Sequence, residues 1–266
     1  MVIDDRQKET AALIKTESFR ESEMRIGLLL AGGQGKRANA GQSKALLSIG
    51  GRPLIDYSLA VLSTHSSIDS IVIVIEKDLG AIIKKLLSTD KKVVMVEPGR
   101  ERQDSAFLGL KAAGNIAAET GDKDHLVVIH DASNPFITAE DVSSVIRVAE
   151  QDGAATCGVA NDEPLRLVRS GKTDDIIGGK GVWRLRTPFC GKLEILQKAY
   201  ADAFSSGMYH DDDTALVMRS GKDVTVVPTS TLNTRIVSEL DIRRAEHIMG
   251  LHQIRSWKGS GDHDED

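Results

Sequence analysis

A predicted strand runs straight into a glycine-rich turn in RIGLLLAGGQGKR, residues 25–37. In open α/β sheets ligands bind at the carboxyl ends of the strands, where glycines let backbone N–H groups approach phosphate oxygens. Nearby arginine and lysine side chains supply the countercharge. The stretch lacks the complete P-loop pattern and the complete G-x-G-x-x-G dinucleotide pattern. It therefore predicts a phosphate-binding loop at a sheet edge, and a tight turn beside surface cations is the alternative.

Short β-branched runs alternate with helical patterns over the rest of the chain. Apolar strands interleaved with helices indicate an α/β domain whose mainly parallel sheet is covered by helices on both faces. Asp104 and Thr138 are predicted as helix N-caps. The strands are predicted at Arg25–Leu30, Ser70–Ile75, Lys92–Val96, Leu126–Ile129, Ala154–Val159 and Val224–Val227, and the helices at Leu54–Ser63, Leu79–Leu87, Ser105–Ala113, Ala139–Gln151, Lys192–Phe204 and Ser238–Met249.

Composition narrows the classes of function. The 266 residues include 41% hydrophobic ones and carry a net charge of −5, so we expect neither a nucleic-acid partner nor a membrane partner. Cys157 and Cys190 match no metal or redox spacing, and no secretory signal is recognisable, which predicts a cytoplasmic location. The predicted divisions are an N-terminal extension at 1–23, helical or disordered, a main domain at 24–252 and an acidic, disordered tail at 253–266.

Residues 161–186 break the alternation of strands and helices. They combine short charged strands with the glycines Gly171, Gly178, Gly179 and Gly181. This composition predicts a β-arm that projects from the sheet. Because a lone hairpin is marginal in water, such arms often pair with a second subunit, so we expect a homodimer. A surface hairpin without a partner is the alternative.

A carboxylate follows the strand predicted at Leu126–Ile129. In HDASNPF, residues 130–136, Asp131 is placed where it can hold Mg²⁺ against substrate phosphates, since Mg²⁺ is usually bound by one or two carboxylates. The alternative is that Asp131 caps a turn and that His130 packs in the interior.

The polar stretch PGRERQDS, residues 98–105, joins a predicted strand to a predicted helix. Gly99 and Ser105 in this stretch are candidates to contact a nucleotide base. A capped helix start explains Asp104 equally well.

Seven motifs and one lysine occur along the chain in this order: LAGGQGKR, Lys44, GRPLIDYSL, RQDSAFLGL, HDASNPF, TPF, HDDDTAL and NTRIVSELDI. Together they resemble the family of 2-C-methyl-D-erythritol 4-phosphate cytidylyltransferases, to which ribitol 5-phosphate cytidylyltransferases also belong. The resemblance runs from about Arg25 to Met249. It implies a Rossmann-like domain with a dimerising arm, CTP and a small phosphorylated alcohol as substrates, Mg²⁺ as cofactor, and release of pyrophosphate.

The resemblance also implies roles for individual residues. Fixed cations would stabilise the negative charge that develops when an acceptor phosphate oxygen attacks the α-phosphorus of CTP. By their positions in the motifs, the catalytic residues are Arg37, Lys44 and Arg235, the nucleotide-binding residues are Ala31, Gly32, Gly33, Gly35, Gly99 and Ser105, the metal ligand is Asp131, and the acceptor-binding residues are Asn134, Glu163 and Asp211.

Several positions depart from the family pattern, mostly on the acceptor side. Asn134 and Gly179 stand where the pattern has arginines, and Glu163 stands where it has threonine. Arg235 replaces a lysine, which keeps the charge but changes the geometry. The lost cations predict that 2-C-methyl-D-erythritol 4-phosphate is a poorer acceptor here and that another polyol phosphate is preferred. The alternative is that neighbouring cations restore the usual specificity, the candidates being Lys180, Arg184, Arg186 and Arg235.

Two other functions remain open. The opening LAGGQGKR…SKALLSIGGRPL also resembles guanylyltransferases of the molybdopterin-cofactor type, although that family does not explain HDASNPF, RQDSAFLGL and NTRIVSELDI. A catalytically silent relative that binds a nucleotide or a partner protein is the second. The intact Arg37, Lys44 and Asp131 favour an enzyme over such a relative.

Overall fold

The computed structural model describes residues 23–33, 43–120, 124–177, 179 and 181–258, with side chains described as far as residue 250. Its strands are β1 (Arg25–Leu30), β2 (Ser48–Ile49), β3 (Arg52–Pro53), β4 (Ser70–Val74), β5 (Lys92–Val96), β6 (Leu126–Asp131), β7 (Ala154–Ala160), β8 (Arg166–Arg169), β9 (Lys172–Ile176), β10 (Trp183–Lys192) and β11 (Thr225–Pro228). Its α-helices are α1 (Leu54–Thr64), α2 (Gly80–Leu86), α3 (Arg102–Ala117), α4 (Ala139–Asp152), α5 (Leu193–Ser205), α6 (Asp213–Arg219) and α7 (Glu239–Lys258).

Seven strands form one sheet in the order β11-β7-β10-β6-β1-β4-β5. Neighbouring strands are parallel except for β10, which runs antiparallel to both β6 and β7. The carboxyl ends of β1, β4, β5, β6 and β7 therefore meet at one edge of the sheet. This confirms the predicted Rossmann-like α/β fold with a mainly parallel sheet.

The sheet separates two apolar cores. Successive side chains of a strand point to opposite faces, so Leu29 of β1 enters one core while Leu28 and Leu30 enter the other. Helices α1, α2 and α4 cover the first core, and α3, α5 and α6 cover the second. Because the central strands are buried on both faces, their sequences are continuous apolar runs.

Strand β10 is the main element that the sequence pattern does not predict. Its sequence WRLRTPFCGK contains Pro188, and proline argues against a central strand because it cannot donate to the ladder. The pairing of β10 with β7 shifts register between Arg186 and Phe189, so the proline lies in an irregularity of the ladder. As a result, Trp183–Arg186 belongs to the central sheet, and the predicted arm of 161–186 extends too far.

The predicted helices form, with shifted ends. Thr138 caps α4 as predicted, since its hydroxyl accepts from the Asp141 N–H at 3.1 Å. The prediction for Asp104 is wrong: Glu101 is the N-cap of α3, and Asp104 at the third helical position completes a capping box. Helix α7 continues into the tail predicted from residue 253.

Some of the predicted divisions lie beyond the described residues. These are residues 1–22 of the N-terminal extension and 259–266 of the tail. Within the described part of the chain, no helix has both the length and the apolar character required to cross a membrane.

The arm is a separate two-stranded hairpin of β8 and β9. Every residue of both strands is exposed, including the apolar Val168 and Ile176. The hairpin turns through Ser170 and Gly171, both with positive φ, where glycine at the second position avoids strain. The arm thus leaves apolar side chains uncovered by the rest of the described chain.

Gly109 marks a close approach of α3 to the sheet, because a Cβ there would overlap Cδ1 of Leu28 and lie 3.0 Å from Cγ2 of Val74. We expect Gly109→Ala to lower the free energy of unfolding by about 1–3 kcal/mol, the usual cost of overpacking a core. Gly114→Ala on the same helix is the matched control. A Cβ there would meet the amide end of the Gln197 side chain, which can move, and alanine favours the helix by up to about 1 kcal/mol. Urea unfolding followed by circular dichroism measures both, and equal stabilities would contradict this packing.

Candidate active site

A cleft of about 1120 Å³ lies at the carboxyl ends of β1, β4, β5 and β6. This is the edge at which open α/β sheets bind their ligands. The loop after each of these strands contributes to its walls, together with Lys44 and Arg235 from elsewhere in the chain. Most of the nucleotide-side residues predicted from the sequence therefore surround one opening.

The glycine-rich turn after β1 packs against the loop after β5. A Cβ on Gly32 would overlap the ring of Pro98, so only glycine lets the two loops touch. A Cβ on Gly33 would meet no atom within 4 Å. Ala31, Gly32 and Gly33 all line the cleft. At Gly32 and Gly33 the turn therefore presents backbone to the cleft without a side chain in the way.

Lys44 is held beside this turn. Its backbone N–H donates to the carbonyl oxygen of Gly33 at 3.3 Å, and it begins the 3-10 turn Lys44–Leu46. Lys44 lines the cleft, as its predicted catalytic role requires. The other two residues predicted for this loop, Gly35 and Arg37, lie outside the described residues.

Gly99 and Ser105 are linked at the start of α3. The Gly99 N–H donates to Oγ of Ser105 at 3.1 Å, and Ser105 Oγ donates to the carbonyl oxygen of Glu101 at 3.0 Å. Both residues line the cleft. Because the hydroxyl proton is used within the protein, a lone pair of Ser105 Oγ is left to accept from a ligand. Their contact with a nucleotide base stays a prediction.

Arg102 joins two carboxylates where the cleft meets the second core. Its Nε donates to both oxygens of Asp131 at 2.9 and 3.1 Å, and its terminal nitrogens donate to Asp213 at 3.1 and 2.8 Å. Asp213 is 2% exposed, and the buried Tyr200 hydroxyl also donates to it. We call these four residues the Arg102 network. It fastens the first turn of α3 to the end of β6, to the start of α6 and to α5.

The sequence analysis missed Arg102, Tyr200 and Asp213. The only signal was the presence of opposite charges in RQDSAFLGL and HDDDTAL, which are remote in sequence. That signal does not identify which acid pairs with Arg102, because HDDDTAL contains three aspartates.

The Arg102 network keeps Asp213 ionised. Burial alone would raise the pKa of this carboxyl, but the Arg102 guanidinium and the Tyr200 hydroxyl outweigh burial and lower the pKa from its ordinary 3.8. Since the folded pKa lies below the unfolded one, the resulting stabilisation is present above pH 3.8 and is lost as the pH falls towards the folded value.

His130 packs behind the loop that carries Asp131. It is fully buried, and its Nε2 lies 3.1 Å from Oγ of Ser58 and 3.1 Å from the carbonyl oxygen of Asn134. Burial lowers the pKa of His130 to about 4, so the ring is neutral near pH 7 and Nε2 donates to the carbonyl. The packing alternative for His130 is confirmed.

None of the three predicted acceptor-binding residues is among the described residues that line the cleft. Asn134 is 2% exposed, and its amide donates to Oδ1 of Asn233 at 3.4 Å. Asn134 is therefore closed off from the cleft in this structure, and its contact with an acceptor stays a prediction. Glu163 and Asp211 are exposed on separate loops, before β8 and before α6, and neither is among the described residues that line the cleft. The roles of Glu163 and Asp211 stay predictions.

The loop before α7 brings Arg235 to the cleft. Asn233 is fully buried, and the buried Ile236 donates its N–H to the carbonyl oxygen of Ser133 at 2.8 Å. Between these two anchors Arg235 is exposed and lines the cleft. Two of the predicted catalytic cations, Lys44 and Arg235, therefore share the cleft with the predicted metal ligand.

Asp131 satisfies the requirement for a magnesium ligand at a triphosphate. Within the described residues, no group of three or more His, Cys, Asp or Glu side chains is arranged to hold a metal ion. Mg²⁺ at nucleotide sites takes one or two carboxylates and fills its other positions with phosphate oxygens and water. Asp131 lines the cleft beside the phosphate loop, and its hydrogen bonds to Arg102 leave lone pairs on both oxygens.

Comparison with known proteins points to a single family. The sequence model of the 2-C-methyl-D-erythritol 4-phosphate cytidylyltransferase (IspD) family matches residues 26–251 of this chain. The protein of that name from Bacillus licheniformis is 32% identical over 222 residues, which cover 82% of this chain and 93% of the relative. Its counterpart from Shouchella clausii is 32% identical over 225 residues, which cover 84% and 95%.

Solved structures agree on the fold. The crystal structure of 4-diphosphocytidyl-2C-methyl-D-erythritol synthase from Anaerococcus prevotii superimposes with a TM-score of 0.75 at 24% identity, covering 88% of this chain and 99% of that one. The 2-C-methyl-D-erythritol 4-phosphate cytidylyltransferase of Francisella tularensis gives a TM-score of 0.70 at 20% identity, covering 85% and 99%.

The Arg102 network predicts a large effect of Asp213→Asn on stability. We expect the free energy of unfolding to fall by about 2 kcal/mol or more, because the half-buried Arg102 guanidinium and the buried Tyr200 hydroxyl both lose their charged partner. The matched control is Asp202→Asn, whose partner Lys198 is exposed, and its loss is expected to cost at most about 1 kcal/mol. Urea unfolding at pH 7 and in acid measures both. The deficit of Asp213→Asn should shrink in acid, and a deficit like that of the control at pH 7 would contradict the network.

Proposed function

The chain belongs to the family of 2-C-methyl-D-erythritol 4-phosphate cytidylyltransferases, and from this premise we propose that it transfers CMP from CTP to a polyol phosphate such as 2-C-methyl-D-erythritol 4-phosphate, releasing pyrophosphate. Membership of this family excludes the other family that the opening motif resembles, the guanylyltransferases of the molybdopterin-cofactor type. The observation that carries the proposal is the cleft, which gathers the glycine-rich turn, Lys44, Asp131 and Arg235. This set favours an enzyme over a silent nucleotide-binding relative.

The chemistry is a direct displacement at phosphorus. A phosphate oxygen of the acceptor attacks the α-phosphorus of CTP in line, the bond to the bridging oxygen breaks, and pyrophosphate leaves with the electron pair. No covalent enzyme intermediate is needed, so catalysis consists of positioning and charge stabilisation. Lys44 and Arg235 supply fixed positive charge, and the backbone of Gly32 and Gly33 orients the triphosphate.

The base is proposed to bind beside Gly99 and Ser105. The free lone pair on Ser105 Oγ can accept from the exocyclic amine of cytosine, whereas uracil offers a carbonyl oxygen at that position. This preference follows from the hydrogen bond in which Ser105 has already donated its proton to Glu101.

Magnesium is the proposed cofactor. Asp131 would hold the ion, which supplies positive charge to the phosphate oxygens when it is bound. Arg102 fixes the orientation of the Asp131 carboxylate through Nε. The acid therefore needs little reordering before it binds a cation.

We propose a homodimer formed through the hairpin of β8 and β9 and a cytoplasmic location. The exposed apolar residues Val168, Ile176 and Ile177 support the homodimer, because an isolated hairpin needs a covering surface.

The cytoplasmic location is supported by Cys157 and Cys190. Both thiols are free and buried, and burial raises the pKa of each.

The proposed function predicts that Lys44→Ala lowers kcat by about 10²–10³-fold, the usual cost of removing one fixed charge from a developing anion. Arg37→Ala is expected to have a similar effect. Lys84→Ala is the matched control, because Lys84 is an exposed lysine of α2 away from the described cleft. Pyrophosphate release from CTP and 2-C-methyl-D-erythritol 4-phosphate measures all three. Near-normal turnover in Lys44→Ala would remove the assigned role, and no release by the wild type with any polyol phosphate would reject the function.

The proposed cofactor predicts that excess chelator abolishes pyrophosphate release and that Mg²⁺ or Mn²⁺ restores it. Asp131→Asn should raise the Mg²⁺ concentration needed for half-maximal rate by about tenfold or more and should lower the rate itself, because a neutral amide is a weaker magnesium ligand. A magnesium titration of wild type and variant at saturating CTP gives both values. Full activity in chelator would refute the requirement.

A further inference from the structure

Arg184, Arg186 and Arg235 lie together at the end of the sheet where the cleft opens, and we call them the arginine cluster. Alternate residues of a strand point to the same side, so Arg184 and Arg186 share one face of β10. Nε of Arg186 donates to the carbonyl oxygen of Asn233 at 3.0 Å. Arg235 follows Asn233 by two residues on the same loop. Two separate elements thus deliver three guanidinium groups to one place.

No ion pair neutralises the cluster within the described part of the protein, and the partners of the Arg186 guanidinium there are two backbone carbonyl oxygens, those of Asn233 and of Leu185 at 2.9 Å. None of the ion pairs found there involves Arg184, Arg186 or Arg235. Burial, followed by repulsion from the other two guanidinium groups, lowers the pKa of Arg186 from its ordinary value. Such a cluster is stabilised by an anion, and the planar arginine fork matches phosphate oxygens in particular.

The cluster adjoins the site of the chemistry. Arg235 lines the cleft together with Asp131. The Asp131 N–H donates to Oγ1 of Thr187 at 3.3 Å, and Thr187 is the residue that follows Arg186 on β10. An anion bound by the cluster would therefore lie next to the phosphates of a nucleotide in the cleft.

A chain of hydrogen bonds connects the cluster to position 134, where the family pattern has an arginine. The Asn134 amide donates to the Asn233 side chain, and the Asn233 carbonyl oxygen accepts from Arg186. Asn233 thus contacts both Arg186, through its backbone, and the position at which the cation is missing, through its side chain.

We propose that the arginine cluster binds the phosphate monoester of the acceptor and that Arg186 is the residue that replaces the arginines missing at 134 and 179. The inference rests on the proposed function and names the subsite that holds the attacking phosphate. It also means that the acceptor side has kept its positive charge by moving that charge onto β10. The sequence predicted that 2-C-methyl-D-erythritol 4-phosphate is a poorer acceptor because cations are lost. If the cluster supplies those cations, that reason no longer applies.

Steady-state kinetics of pyrophosphate release test the cluster. The variants are Arg186→Gln, Arg186→Lys and the double variant Arg184→Gln/Arg186→Gln, with Arg219→Gln, an exposed arginine at the end of α6, as the matched control. Losing charge-assisted hydrogen bonds to a phosphate should raise the acceptor KM about 10- to 100-fold in Arg186→Gln and further in the double variant. The KM for CTP should change by less than about threefold, and Arg186→Lys should recover part of the loss because it keeps the charge.

The acceptors are 2-C-methyl-D-erythritol 4-phosphate, ribitol 5-phosphate and glycerol 3-phosphate, and calorimetric titration of each into the full-length protein gives a readout independent of turnover. Thermal unfolding checks that the variants are folded. If the wild type is active and the double variant has the same acceptor KM, the role proposed for the cluster is overturned and the proposed function stands. An increase in the KM for CTP instead would assign the cluster to the nucleotide. If the wild type is inactive, weaker calorimetric binding in the double variant still supports the cluster, and equal or absent binding overturns it.

Discussion

The guanidinium of Arg102 sets the geometry of the cleft, because it is shared between a carboxylate at the end of β6 and a carboxylate at the start of α6. Separating a buried charge from its partner costs several kcal/mol, so these elements cannot drift apart in the folded protein. Ser105 lies on the first turn of the same helix as Arg102. The residue proposed to meet the base and the residue proposed to hold the metal are therefore tied through one side chain. Tyr200 completes the arrangement by donating to Asp213 from α5.

Charge is distributed unevenly around the site that this constraint creates. The Arg102 network contains two carboxylates and one guanidinium, so its formal charge is negative, which suits a metal cation at Asp131. Lys44 and Arg235 line the same cleft and carry the opposite sign. A triphosphate with a magnesium ion needs both kinds of surface, one for the metal and one for the phosphate oxygens. The fold provides them because loops from several parallel strands end at one edge of the sheet.

Most of the fold could be predicted from the sequence, because parallel strands buried on both faces leave continuous apolar runs. Strand β10 could not be predicted, because its pairing tolerates Pro188 only through a register shift that no local pattern reveals. The glycine-rich turn, Lys44 and Asp131 could be located because each occupies a strand end or a short motif. The Arg102 network could not, because it joins residues more than a hundred positions apart, and Asp213 was indistinguishable in sequence from its two neighbouring aspartates.

The acceptor side shows why comparison position by position can mislead. Asn134 appears in sequence as a lost cation at the substrate, but the structure buries its side chain against Asn233. Whether a phosphate is bound depends on where positive charge stands in space, and a strand passing the same point can carry it as well as a loop can. Arg186 lies on such a strand, one residue from the hydrogen bond that joins β10 to Asp131. Asn233 lies between the two positions, so an arginine at 134 would add a like charge on the other side of Asn233 from Arg186, and the neutral asparagine avoids that repulsion.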